Sequence, residues 1–360
     1  MGSKPVGISA SRGAAVLGES DYQTVFEVWQ RIREEWEPGW NAAHGMIAPP
    51  EPDSAALRWG TAFEDAIVEL AEAARGRNIG AREMAFYTDF DGLERDNSEN
   101  GPITCHIDGR YIERGGPASS SDPLHEGKTT SAWAFRSMWG EPGTDHVPRT
   151  YQIQCQHQML CTGAELDIVS ALVFPDSPDN WEKMGIEVHE DDDSRWWIRN
   201  FESSNSWSER VETWGRLFAQ IGNFHQYPIA ANRDLQKLLV DGYADFWNRY
   251  ILGDEEPDIT RYEDIRRAFP EPVGTILLTE QEERWLTEYR DLHAEISASG
   301  KWGKRCDELK VTLLSALRGR VGDAILDDES KEKLVFRNSR GDKLGQYNPR
   351  TGFRVRAEKE

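Results

Sequence analysis

The hydrophobic period of this chain changes once within its first third, and that change constrains the fold more than any other feature. Over residues 56–74 apolar side chains recur at helical spacing, with Phe63, Ile67 and Leu70 on one face. An earlier segment, residues 22–36, does the same with Phe26, Trp29 and Ile32 and stops before Pro38-Gly39. The stretch 48–54, with three prolines, separates the two as a loop. Past residue 80 the pattern alternates instead. Residues 84–90, 103–111 and 124–129 read as strands parted by Asp/Asn/Gly-rich and Gly/Pro/Ser-rich turns. Residues 166–174 make a β-branched apolar strand, and residues 195–201 another after the acidic turn 190–194. Trp207, Val211, Trp214, Leu217, Phe218 and Ile221 then form an amphipathic helix. The expectation is a mixed α/β (α+β) domain, a sheet with helices before and after it, closing near residue 225.

Beyond that point residues 234–251 read as a helix and residues 253–272 as a proline-containing loop. Thr279 with Glu282 forms a capping box ahead of a helix carrying Trp285, Leu286, Tyr289, Leu292 and Ile296. A second helix follows Gly303, with Cys306, Leu309, Leu313, Leu314 and Leu317 as its apolar set. The pair predicts an antiparallel α-hairpin, followed by strands around 334–337 and 353–356. A chain of 360 residues is long enough for two domains, and the reading divides it into 1–225 and 226–360, the second a helical and small β region.

Composition removes several classes. No stretch approaches the roughly 18 apolar residues of a membrane span, and residues 1–10 lack the charged and apolar regions of a secretory signal, so a cytoplasmic protein is expected. Cys105, Cys155, Cys161 and Cys306 are widely spaced without a C-x-x-C pair, which predicts buried thiols rather than a zinc ribbon or a disulfide framework. The formal charge of -21 argues against coating of nucleic acid by the outer surface, because counterion release needs clustered Lys and Arg. Only 11 of the 42 basic residues are Lys, a bias that a high-salt host or a GC-rich genome would produce. Contact with DNA, if made, belongs in a local basic channel.

The residues with chemistry lie between Glu64 and Gln156. In His125-Glu126-Gly127-Lys128, strand alternation puts Glu126 and Lys128 on one face. Eighteen residues before Glu126, Asp108 precedes Gly109 at a strand end. Two carboxylates on neighbouring strands, completed by water, phosphate and backbone carbonyls, make an oxygen-rich site suited to Mg²⁺ or Mn²⁺. A lysine beside them can hold or deprotonate an attacking water. Glu64 sits at the edge of its helix's apolar stripe, a further candidate ligand. Each residue alone is weak evidence, since strand carboxylates and lysines are mostly solvated surface groups. Their order, followed by the unusual run Tyr151-Gln152-Ile153-Gln154-Cys155-Gln156-His157-Gln158, is more specific.

That order resembles the YqaJ-like viral recombinase nucleases, the lambda exonuclease family within the PD-(D/E)XK superfamily. The matching pieces are Gly7-Ile8-Ser9-Ala10-Ser11, Trp59-Gly60 through Glu64, Asp108-Gly109, Glu126-Gly127-Lys128, and Tyr151 with Gln154 and Gln156. They cover roughly residues 4–225. The resemblance implies a PD-(D/E)XK core with a central mixed sheet flanked by helices, and a helix rather than a strand over 152–158. It implies that Asp108 and Glu126 bind the metal, that Lys128 activates water and that Glu64 assists. It implies a 5′-phosphate pocket to which Lys4, Ser11, Arg12 and Gln154 contribute, with Gln156 also on the DNA-binding side. The chain departs from the pattern at Lys4, where the family has an Arg, and at His106, where it has a Ser.

The activity so implied is exonucleolytic hydrolysis of linear duplex DNA from 5′ ends, leaving 3′ overhangs for phage-type recombination. A single-strand-annealing partner and a trimeric ring are implied with it. Residues 226–360 resemble the tail of many bacterial relatives, for which stabilisation and self-association are the plain reading. Two rivals stand beside this one. A RecB-like or CRISPR-adaptation nuclease with an iron–sulfur cluster needs four suitably placed cysteines, and the spacing here opposes it. A catalytically silent DNA-end binder would have no use for all four charged candidates.

Overall fold

A computed structural model describes residues 6–90, 102–113, 116–199, 207–299 and 303–355. Along the chain come β1 (Ile8–Ser9), α1 (Gly13–Val16), α2 (Val25–Trp36), α3 (Trp40–Ala43) and α4 (Ala55–Arg75). There follow β2 (Asn78–Gly80), β3 (Met84–Thr88), β4 (Ile103–Ile107), β5 (Gly109–Ile112) and β6 (Leu124–Ser131). Next are α5 (Ala132–Met138), α6 (Arg149–Thr162), β7 (Leu166–Phe174), α7 (Pro178–Lys183), β8 (Val188–Glu190), β9 (Trp196–Arg199) and β10 (Trp207–Arg210). Then α8 (Val211–Gln220), β11 (Phe224–Ala230) and α9 (Arg233–Phe246), with a π-helical turn at Trp247–Leu252, precede α10 (Tyr262–Ala268) and β12 (Gly274–Leu277). The chain ends with α11 (Glu280–Ser299), α12 (Lys304–Gly319), β13 (Leu334–Arg337), β14 (Lys343–Asn348) and β15 (Gly352–Val355). The expected mixed α/β class is what the chain adopts.

Packing divides the chain into two units at places other than residue 225: residues 1–20 with 50–248, and residues 21–49 with 249–360. The reasons are specific contacts. Strand β11 pairs with β7 along its whole length, from Phe224 against Leu172 to Ala230 against Leu166, and so belongs to the first unit. In the second unit, the α2 N-cap Thr24 accepts from the Glu27 N–H and donates to Asp264 at 2.8 Å, while the Trp29 indole donates to the Tyr250 carbonyl.

The first unit is built on a five-stranded sheet, β11-β7-β6-β5-β2, in which only β6 and β7 run parallel. A parallel pair needs a crossover, and α5 and α6 lie in it. Two three-stranded sheets, β1-β4-β3 and β10-β9-β8, complete the unit. The strand expected over 103–111 is therefore broken at Asp108, its halves β4 and β5 belonging to different sheets, and Trp207 opens a strand instead of a helix. One face of the large sheet is covered by α4, which starts on a Ser54 cap and ends at Gly76 in the left-handed region (φ 64°). Trp59, Phe63, Phe174, Trp181 and Phe218 pack there, with Trp59 and Trp181 ring centroids 4.6 Å apart. Each such buried ring contributes on the order of 1.5–3 kcal/mol.

On the other side α1 and α9 pack against α6. At the crossing Gly13 has no alternative: a Cβ there would lie 2.1 Å from the Tyr243 hydroxyl. That hydroxyl meets His157 Nδ1 at 3.1 Å, while His157 Nε2 faces the Thr104 carbonyl at 2.9 Å. A carbonyl only accepts, so Nε2 carries the proton of that bond.

In the second unit the sheet β12-β13-β14-β15 and helices α10 and α12 enclose Ile265, Leu313, Leu314, Leu317, Phe336 and Tyr347. The capping box is formed in both directions, Thr279 N–H to Glu282 at 2.7 Å and Glu282 N–H to the Thr279 hydroxyl at 3.3 Å, and α11 lies against α12. All four cysteines are buried and free. No described helix is long and apolar enough to cross a membrane.

Candidate active site

Asp108 stands at the junction of β4 and β5, where the chain leaves one sheet for another, and Glu126 and Lys128 stand on β6 beside it. The Gly127 N–H donates to Asp108 Oδ2 at 2.8 Å, which ties the strand break to the Glu-x-Lys segment. Alternation along β6 then separates two faces. Gly127 faces α4, where a Cβ would lie 3.3 Å from Ile67, and Glu126 and Lys128 face α6.

Glu126 is 1% exposed. A buried carboxylate must find donors, and it finds three. Lys128 Nζ and Gln154 Nε2 both donate to Oε1, the latter at 2.6 Å, and Gln158 Nε2 donates to Oε2 at 2.7 Å and, more loosely, to the His106 carbonyl at 3.4 Å. Gln154 and Gln158 are one helical turn apart on α6, so both amides reach the same group. Burial, then the neighbouring Glu126, push Asp108 up to about 7. Burial alone would lower the Lys128 ammonium, but Glu126, Asp108 and Tyr151 outweigh it and hold the amine above its ordinary range. The Lys128 ammonium also lies 5.2 Å from the Tyr151 ring centre.

Deeper still is Asp167 on β7, fully buried, raised well above the ordinary carboxylate range by burial and next by Glu126, with the Cys155 thiol beside it. Gln158 and Asp167 were both missed by sequence reasoning. The helix that the resemblance implies over 152–158 aligns Gln158 with Gln154 and so carried the signal for it, whereas Asp167 sits in an apolar strand that offers none.

The other candidates are distributed differently. Glu64 on α4 is partly exposed and ion-paired with Arg82 at 3.2 Å, Arg82 also binding Asp65 at 2.8 Å. It is near enough to raise Asp108 slightly but is not turned in with the other two carboxylates. Ser11 and Arg12 lie in the turn leading into α1, where the Ser9 and Ser11 hydroxyls meet at 3.1 Å. Gln154 is engaged with Glu126 rather than left open for a phosphate. Gln156 is 3% exposed, and its amide binds the Ala230 carbonyl, the Asn232 N–H and the Gln236 side chain. It holds the β11–α9 connection, a buried position that differs from the DNA-facing one the resemblance implies. Lys4 lies outside the described residues.

Among the described residues no group of three or more His, Cys, Asp or Glu side chains is arranged to hold a metal ion. The two inner carboxylates nonetheless suit one. Asp108 Oδ1 makes no hydrogen bond among the described residues, Asp108 and Glu126 repel each other in a poorly solvated site, and all their donor atoms are hard oxygens. A small divalent cation between them would relieve that repulsion.

Residues 2–165 match the sequence profile of the YqaJ-like viral recombinase domain. No curated protein matches the chain. Among solved structures, the alkaline exonuclease from Laribacter hongkongensis is similar at 13% identity and TM-score 0.40, covering 69% of this chain and 90% of that one. The same enzyme in complex with dAMP gives 14% identity, TM-score 0.40 and the same coverage. A phage-related exonuclease from Haemophilus somnus 129PT gives 13% identity and TM-score 0.36, covering 69% and 96%. The ordered motifs and the profile agree on one segment: residues 2–165, which contain Glu64, Asp108, Glu126 and Lys128, are similar to the YqaJ-like viral recombinase domain.

Proposed function

We propose that the chain is a divalent-metal-dependent DNA exonuclease that degrades linear duplex from 5′ ends and leaves 3′ overhangs for recombination. The observation that carries the reading is the convergence of Asp108, Glu126 and Lys128 in one partly enclosed site within the YqaJ-like segment. Mg²⁺ or Mn²⁺ held by Asp108 and Glu126 would neutralise charge on the phosphoryl oxygens and lower the barrier to water attack. Lys128 holds the attacking water in line with the scissile phosphate. Gln154 and Gln158 fix the Glu126 carboxylate, so that little reorganisation remains when substrate arrives. Glu64 assists from the rim, and Ser11 and Arg12, with Lys4, hold the terminal 5′-phosphate. Enclosure of a duplex by a protein of charge -21 is most simply met by cyclic association. A trimer of about three times the 41.0 kDa chain, working with a single-strand-annealing protein, fits that need.

The test incubates the protein with 5′-phosphorylated linear duplex, nicked circle and closed circle, in Mg²⁺ and in EDTA. Only the linear duplex in Mg²⁺ should be degraded, more slowly when its ends carry 5′-hydroxyls. Glu126→Gln should be inert though folded, and Lys128→Ala slower by about 10²- to 10³-fold, the usual scale for losing one preorganised hydrogen-bond donor at the reacting centre. Wild-type rates in Glu126→Gln, or digestion in EDTA, would end the reading.

A further inference from the structure

The same sheet carries a second polar feature on its opposite face. Tyr111 on β5 and Ile168 on β7 lie on the side of His125, whose Nδ1 is 3.3 Å from the Tyr111 hydroxyl and whose strand partner is Ile168. By alternation that is the face away from Glu126. There, at the C-terminal end of α4, a cavity of about 400 Å³ is lined by Arg75, Arg77, Tyr111, Pro123, Ile168 and Gln226.

Its electrostatics set it apart from the rest of this acidic chain. Two guanidinium groups line it and no carboxylate does. Arg77 is paired with Asp122 at 3.1 Å. Arg75 makes no ion pair among the described residues: its Nε donates to Gln226 Oε1 at 3.0 Å, and its guanidinium carbon stands 5.5 Å from the Tyr111 ring centre. The Gln226 amide is in turn oriented by donating to the Tyr111 and Ser170 hydroxyls at 3.0 and 3.1 Å. One guanidinium is thus held at its Nε and against a ring, while among the described residues its two terminal nitrogens make no hydrogen bond. A planar fork presented in this way matches the oxygens of a phosphate. The cavity is larger than a bare phosphate needs and falls in the range of small-molecule sites, and Pro123 and Ile168 supply an apolar wall.

We propose that this cavity binds a nucleotide phosphomonoester, its phosphate between Arg75 and Arg77 and its sugar or base against Pro123 and Ile168. The phosphate subsite stands on the cavity alone, whereas the choice of a nucleotide over another phosphomonoester rests on the nuclease reading. A free mononucleotide and the phosphorylated end of a strand present the same group.

Calorimetric titration of the full chain in EDTA tests it, because removing divalent cations suppresses phosphate binding at Asp108 and Glu126, and comparison with Arg75 variants separates this cavity from the proposed 5′-phosphate pocket at Lys4, Ser11 and Arg12. Thymidine 5′-monophosphate should bind and thymidine should not. Arg75→Gln should weaken the nucleotide by on the order of tenfold to a hundredfold, the effect of losing a charge-assisted hydrogen-bonding group. Arg75→Lys should keep part of the affinity. Arg75 is exposed, and an unchanged thermal melt of Arg75→Gln checks that the fold is intact. A 5′-phosphorylated oligothymidylate binding more tightly than the mononucleotide assigns the site to strand ends, and the reverse order assigns it to free nucleotide. Ribose 5-phosphate binding as well as the mononucleotide would overturn the nucleotide assignment. Absence of nucleotide binding, or equal affinity in wild type and Arg75→Gln, would overturn the subsite. Because binding is read without turnover, a chain that binds the nucleotide but cleaves no DNA would refute the proposed function and leave this site standing.

Discussion

Asp167 shows how strongly a single buried group can be ruled by its surroundings. It is wholly buried in β7, and burial together with the nearby Glu126 raises its carboxyl well above the ordinary range. A carboxyl whose folded-state pKa is raised supports the fold fully below its unfolded value, near 4, and loses that support as pH climbs towards the folded value. Asp167→Asn keeps the shape and stays neutral at every pH. The variant should therefore match wild type in urea melts at pH 4 and become the more stable of the two at pH 8. A difference independent of pH would show that Asp167 is ionised in the folded chain. At this scale the sequence was legible where chemistry follows strand alternation, as in Glu126-Gly127-Lys128. It was silent where a role depends on what packs above the strand: Gln154 is drawn to Glu126 because α6 lies over β6, and Asp167 is recognisable as a special carboxyl only once its depth is known.

Helix α6 makes the same point for a whole element. Its run of glutamines and histidine carries almost no apolar periodicity, because most of its buried side chains with polar groups are satisfied individually rather than segregated to a wet face. Pattern alone reads a strand there, and only the family resemblance pointed to a helix. Gln156 spends both ends of its amide on the β11–α9 connection. Gln156→Leu would leave the Asn232 N–H and the Ala230 carbonyl without that partner, at a cost of about 1–3 kcal/mol each if water does not replace it. The expected outcome is a clearly lower melting temperature with the KM for DNA ends unchanged. A raised KM at unaltered stability would instead restore a DNA-facing role. Elements with strong local signals were readable: α4 was expected over 56–74 and spans Ala55–Arg75, and β7 was expected over 166–174, the residues it occupies. Strand β11 was not, since His225, Gln226 and Pro228 interrupt its apolar alternation. It tolerates a proline because it pairs only with β7, at the edge of the sheet.

At the scale of the whole chain, the position of β11 decides where it can be cut. A boundary near residue 225 looked natural because an amphipathic helix ends there and a polar stretch begins, and no local pattern announces that residues 224–230 return to the sheet. The sequence is equally mute about residues 21–49, which fold with the C-terminal unit through contacts such as Thr24 to Asp264, separated by 240 positions. A chain ended after residue 225 would lose most of β11 and all of α9. The backbone groups of β7 from Leu166 to Ser170 would have no ladder partner on that side, and Tyr227, Ile229, Leu239 and Tyr243, each at most 4% exposed, would be gone from the core. Burial of four such side chains contributes on the order of 1.5–3 kcal/mol apiece, comparable in sum with the 5–15 kcal/mol that holds an ordinary domain folded. The truncated chain should therefore fail to fold, with no cooperative thermal transition and strong binding of a hydrophobic dye, while the full chain melts cooperatively. Ending the chain after residue 248 keeps β11 and α9, and should restore cooperative melting of the first unit even though residues 21–49 have lost their partners. A cooperative transition in the 225-residue chain, or none in the 248-residue chain, would mean that β11 and α9 are not what completes that unit.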